Sequence, residues 1–95
     1  MTDTTARQIL TVYRRPGCHL CDDAELLLRD ELAMRARAGL QTAEVVRVDI
    51  SNDPALEARF GRSIPVFAVG EDQSELVTSQ RQVREFLDRV LSDSG

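Results

Sequence analysis

Short apolar runs alternate along this chain with longer stretches of helical period. Ile9 to Tyr13 is nearly continuous in β-branched, aromatic and apolar residues, and Pro16-Gly17 then stops it. That pattern predicts a central strand covered on both faces. From about Cys18 or Cys21 to about Ala38, Ala24, Leu27, Leu28, Leu32 and Met34 recur with helical spacing. Asp22, Asp23 and Glu25 lie in the early turns of this predicted helix and Arg35 and Arg37 in its last, a charge order that complements the helix dipole. Gly39 follows as an end signal.

Ala43 to Ile50 reads as a second strand. Asp53 and Pro54 predict an N-cap and first position for a short helix that runs to about Phe60 and ends at Gly61. A third strand is expected from Pro65 to Val69, a hairpin loop at Gly70-Glu71-Asp72-Gln73, and a fourth strand from Glu75 to Thr78. Ser79 and Gln82 have capping-box spacing. Behind them Val83, Phe86, Leu87, Val90 and Leu91 form the buried stripe of a last helix. The tail Ser92–Gly95 is expected to fray. The order β-α-β-α-β-β-α predicts an α/β domain. Its strand–helix–strand unit requires parallel pairing and its hairpin antiparallel pairing, which a mixed four-stranded sheet flanked by helices satisfies.

At 95 residues the chain fits a single domain, 1–95, that folds without a metal or structural disulfides. All 12 basic residues are arginine, which removes lysine-dependent chemistry, and they are scattered among carboxylates with a net charge of −4. No basic stripe is present, so nucleic acid is not an expected partner. The longest apolar runs are short, so no membrane span is expected. Met1 to Gln8 is polar and lacks the apolar segment of a secretory signal. The expected location is therefore cytoplasmic, a reducing compartment in which a close cysteine pair is more often catalytic or metal-binding than structural.

The chain has two cysteines, Cys18 and Cys21, in the segment Arg14-Arg15-Pro16-Gly17-Cys18-His19-Leu20-Cys21. They fall just after the first strand, where the first helix begins. Unpaired amides and a partial positive charge at a helix N-terminus stabilise a thiolate. Cys18 lies outside the first turn and Cys21 one turn in. This asymmetry makes Cys18 the expected nucleophile on a substrate disulfide and Cys21 the resolving thiol. Arg14 and Arg15 are candidates for added positive potential or substrate binding, and His19 for tuning or substrate contact. Zinc wants four ligands, and two cysteines with one adjacent histidine do not supply them. No metal site and no bound cofactor are expected.

With these residues in view, the chain resembles the glutaredoxin-like proteins of the thioredoxin-fold superfamily. The resemblance rests on the strand, Arg15-Pro16-Gly17-Cys18-His19-Leu20-Cys21 and helix in succession. It continues with Val48-Asp49-Ile50 closing the second strand and Ser63-Ile64-Pro65-Val66 opening the third. It covers about Leu10 to Leu91. It implies a thioredoxin fold, a redox-active Cys18–Cys21 disulfide, and a cis peptide before Pro65 that faces the cysteines. It also implies that the backbone of Ile64 pairs with the peptide being reduced. The substrates implied are disulfide-bearing proteins or glutathione-type disulfides, with a role in cell redox homeostasis.

The chain departs from the pattern in two places. His19-Leu20 stands between the cysteines where glutaredoxins usually have Pro-Tyr. Thr78-Ser79-Gln80-Arg81 stands where they carry a glycine pair and an aspartate that hold glutathione. The dithiol chemistry is thus more firmly implied than glutathione as electron donor. Two other functions remain open at this point. One is a Cu(I)-type carrier using the same two thiolates, although such domains end in a strand and usually carry methionine where Pro16 stands. The other is a non-catalytic thioredoxin-like adaptor. A monomer is expected.

Overall fold

The computed structural model describes residues 8–91. The expectations for Ser92–Gly95 and for all but the last residue of Met1–Gln8 lie outside them. The elements are β1 (Gln8–Arg14), α1 (His19–Arg37), β2 (Ala43–Asp49), a 3-10 turn (Ile50–Asn52), α2 (Pro54–Phe60), β3 (Val66–Val69), β4 (Asp72–Ser74) and α3 (Gln80–Val90). The sheet order is β2-β1-β3-β4, with β2 parallel to β1 and the other two pairings antiparallel. This mixed four-stranded sheet with its three helices is the thioredoxin fold that the resemblance implies.

β1 is central, as its apolarity predicts, but its two faces are covered unequally. Leu10, Val12 and Arg14 point to one face and are buried. There Leu10 and Val12 join Phe67 and Val69 of β3 beneath Ala24 and Leu28 of α1 and Val83, Phe86 and Leu87 of α3. The other face is covered only at its far end. Phe60 of α2 stacks on Tyr13 with ring centroids 4.4 Å apart, in a cluster with Ile50, Val66, Leu56 and Ile64. Ile9, on the uncovered part of that face, is 53% exposed.

The helix ends follow the sequence chemistry. The Asp53 carboxylate accepts from the N–H groups of Ala55 and Leu56, and Pro54 follows it. Ser79 and Gln82 form the reciprocal capping box. Each cap satisfies amides that an isolated helix leaves unpaired.

Two expectations are corrected. The fourth strand is not Glu75–Thr78 but Asp72–Ser74, and the hairpin turn is the shorter Gly70-Glu71, because Val69 pairs directly with Asp72. Leu76 has a positive φ of 50°, which breaks any extended run through Glu75–Thr78. Val77, fully buried, belongs to the core without belonging to the strand.

The apolar stripe of α1 is also rotated from its expected position. Its buried positions are Cys21, Ala24, Leu28, Glu31 and Arg35, whereas Met34 is exposed. The two charged members are tolerated because α3 supplies their partners. Glu31 accepts from Arg84 and Gln80, and Arg35 donates to Asp88 and to the carbonyl of Leu91.

Candidate functional site

β1 delivers the chain at Arg14, and Arg15-Pro16-Gly17 turns it into α1. Gly17 has φ +75° with open space around it. A glycine meets this left-handed conformation at little steric cost, and a β-carbon would not. Cys18 follows as the N-cap of α1, in extended conformation. Its carbonyl accepts from the N–H of Asp22 at 3.0 Å, and its Sγ accepts from the N–H of Cys21 at 3.1 Å. The two cysteines are joined as a disulfide with Cα atoms 5.2 Å apart. Cys21 has no solvent exposure, whereas Cys18 is half-buried. His19 and Leu20, between them, are exposed.

Pro65 reaches the same end of the sheet. Tyr13 pairs with Val66 in the antiparallel register, which sets the residue before Val66 level with Arg14, where β1 leaves for the cysteines. The Ile64–Pro65 peptide is cis and Pro65 is buried. On its far side the loop is held by Leu76, whose N–H donates to the Ser63 carbonyl at 2.8 Å, and by Val77, whose N–H donates to the Pro65 carbonyl at 3.2 Å. Among the described residues, no backbone hydrogen bond reaches Ile64, which lies between those two anchors.

The two arginines before the cysteines do not stand free. Arg14 is buried, with its guanidinium bonded to Glu25, to Asp22 at 2.9 Å and to the carbonyl of Arg15 at 3.0 Å. Those partners hold its charge more firmly than usual, with the Glu25 bond the largest cause. Arg47 of β2 reaches Glu25 as well, at 2.8 Å. Arg15 donates its Nε to Glu57 at 2.9 Å and its Nη2 both to Glu57 and to the Gly61 carbonyl. Arg15 in turn holds the Glu57 carboxyl below its ordinary pKa, chiefly through that hydrogen bond. The positive potential expected of these arginines is therefore locally matched by carboxylates on α1 and α2. A groove of about 310 Å³ lined by Arg14, Pro16, Arg47 and Asp49 runs beside the cysteine loop.

The structure thus brings Cys18, Cys21, Arg15, Ile64 and Pro65 to one end of the sheet and leaves His19 on the surface. Sequence reasoning missed the acidic partners. Asp22 and Glu25 carried a signal, since their spacing of three puts them on one face of α1. Glu57 carried none, because its approach to Arg15 depends on how α2 packs. Among the described residues, no group of three or more histidine, cysteine, aspartate or glutamate side chains is arranged to hold a metal ion. No described helix is long and apolar enough to cross a membrane.

Comparison with known proteins agrees with this fold. The X-ray structure of a structural-genomics target protein from X. campestris is 32% identical and covers 84% of this chain and 96% of its own, with a TM-score of 0.66. The solution structure of a Nitrosomonas europaea protein matches with 20% identity, 90% and 98% coverage and a TM-score of 0.59. A malarial protein matches at 13% identity, 87% and 96% coverage and a TM-score of 0.56. The latter two speak to the fold alone. No curated protein matches the chain. The profile of the glutaredoxin-like domain (DUF836) matches residues 9–92, and the chain belongs to that family.

Proposed function

We propose that this protein is a dithiol–disulfide oxidoreductase of the cytoplasm, with Cys18 as nucleophile and Cys21 as resolving thiol. The observation that carries the reading is the N–H of Cys21 aimed at the Sγ of Cys18 from 3.1 Å, at the N-terminus of a 19-residue helix. In the reduced protein the same amide and the helix dipole favour a thiolate at Cys18 over a thiol. The difference in burial supports this division of roles, because a substrate sulfur can approach half-buried Cys18 but not enclosed Cys21.

The chemistry balances as follows. The Cys18 thiolate attacks one sulfur of a substrate disulfide, forming a mixed disulfide and expelling the other sulfur as a thiolate that takes up a proton. Cys21, losing its proton, attacks the Cys18 Sγ and expels the second substrate sulfur. Two electrons have then passed to the substrate, and the Cys18–Cys21 disulfide awaits a thiol or dithiol donor, glutathione among the candidates. The open backbone of Ile64 beside Pro65 offers an N–H and a C=O to a substrate peptide, a pairing that uses main-chain groups and so tolerates many sequences. The exposure of His19 and Leu20 between the cysteines supports a contact with that peptide.

The test is covalent trapping. A Cys21→Ser variant lacks the resolving thiol and is expected to accumulate mixed disulfides attached at Cys18, identified by mass spectrometry of the cross-linked peptides. Full disulfide reductase turnover in Cys21→Ser contradicts the role given to Cys21, and reductase turnover that survives Cys18→Ser contradicts the reading as a whole. A biological function that persists in Cys18→Ser without reductase activity favours a non-catalytic adaptor.

A further inference from the structure

Arg15, three residues before Cys18 in the chain, is the candidate substrate-binding cation, and the structure already gives it a carboxylate. Glu57, carried by α2, grips the guanidinium with two bonds, Nε to Oε2 at 2.9 Å and Nη2 to Oε1 at 2.5 Å. The other hydrogen of Nη2 is directed to the Gly61 carbonyl at 3.2 Å. A guanidinium presents two edges that can take a carboxylate through parallel bonds, and both edges share Nη2. With Nη2 committed, neither edge is open to a substrate carboxylate in that form.

The seat is fitted to the pair. A β-carbon on Gly61 would lie 2.9 Å from Glu57 Oε1, 3.1 Å from Arg15 Nη2 and 2.5 Å from the Glu57 carbonyl oxygen. The residue that ends α2 thus leaves room for the two side chains to meet. The neighbouring cations are treated alike, since Arg14 is held by Asp22 and Glu25, and Arg47 by Glu25.

We infer that Glu57 is a specificity-determining residue, an internal carboxylate that takes the place an anionic substrate would occupy at Arg15. The site accordingly favours disulfides whose flanking groups carry no negative charge over carboxylate-bearing small disulfides such as glutathione disulfide. This deepens the oxidoreductase reading and rests on it. A carboxylate substrate must displace Glu57 and leave that charge unpaired beside itself, whereas a neutral or cationic one meets no such obstacle. The pair is partly exposed, at 37% for the Arg15 side chain and 32% for Glu57, so its effect is a modest selectivity and not an absolute barrier.

The test needs no turnover system. Reduced protein, freed of its reductant, is mixed at low ionic strength with glutathione disulfide or with the cationic disulfide cystamine. Oxidation of Cys18 and Cys21 is read by alkylation and mass shift, and each rate is divided by that of a simple reference thiol with the same disulfide. The wild type is expected to favour cystamine. Glu57→Gln is expected to raise the glutathione disulfide to cystamine ratio about fivefold, as the loss of one screened surface charge allows, and Arg15→Gln to lower it. Rates well above the reference thiol with a wild-type preference for glutathione disulfide, or a ratio that neither variant moves, overturn the inference alone. Wild-type rates no faster than the reference thiol with either probe overturn the oxidoreductase reading and the inference with it.

Discussion

Arg14 links the last residue of β1 to the first turns of α1, and replacing it with methionine should loosen the joint that carries the cysteines. Its side chain is 9% exposed, and the Glu25 side chain that receives it is 18% exposed. Removing one member of a fully buried ion pair costs roughly 3–5 kcal/mol, because the abandoned charge has no water to turn to. Here the cost is smaller for two reasons. Glu25 keeps Arg47 as a partner at 2.8 Å, and Asp22, 55% exposed, is solvated in any case. The methionine also retains most of the apolar stem of Arg14, on the face of β1 that carries Leu10 and Val12. The expected destabilisation is about 2 kcal/mol, mostly from Glu25 and from the Arg15 carbonyl left without its donor. The comparison variant is Arg47→Met. That side chain is 61% exposed, so its loss should cost no more than about 1 kcal/mol. Urea denaturation of both variants in the same redox state measures the difference. Equal destabilisation, or a cost for Arg14→Met below about 0.5 kcal/mol, the usual range for a neutral surface change, would refute the idea that burial makes this contact strong.

Glu31→Gln should destabilise the α1–α3 contact near neutral pH. Arg84 and Gln80 bond its carboxylate and hold its pKa below the ordinary 4.5, with the Arg84 bond the largest cause. A carboxyl depressed by folding contributes stability that is complete above its unfolded pKa and is lost as the pH falls through its folded one. The gap between wild type and Glu31→Gln, followed by chemical denaturation, should therefore be widest near pH 7 and close as the pH drops below 4.5. A gap independent of pH would contradict the assignment. Gly61→Ala should cost about 1–3 kcal/mol by overpacking, since the added β-carbon meets the Glu57 carbonyl at 2.5 Å. A thermal midpoint equal to wild type would show that α2 shifts freely, which the stacking of Phe60 on Tyr13 argues against.

Much of the fold was legible because local chemistry and burial agree. Asp53-Pro54 and Ser79 with Gln82 are capping signals that need no tertiary context, and the structure uses each as read. The α3 stripe at Val83, Phe86, Leu87 and Leu91 is apolar because it faces a sheet. β4 was misread for the opposite reason. Asp72-Gln73-Ser74 is a polar edge strand held by main-chain pairing to β3, and such pairing leaves little trace in side-chain type. Val77 drew the strand assignment toward itself although its burial comes from the core. In α1, Glu31 and Arg35 hid the buried face, because charge in a helix reads as solvent-facing until the partners on α3 are known. The cysteine pair was legible from its position after β1. The Arg15–Glu57 contact was not, since 42 residues separate its members.

Whether a helix-opening amide keeps Cys18 ionised can be measured by the pH dependence of alkylation. Reduced wild-type protein is treated briefly with iodoacetamide across a pH series, and peptide mapping reports Cys18 and Cys21 separately. The account predicts that Cys18 reacts first and that its rate levels off with an inflection well below the free-thiol value of about 8.5, with Cys21 protected by burial. An inflection for Cys18 at or above that value, or faster labelling of Cys21, would contradict it.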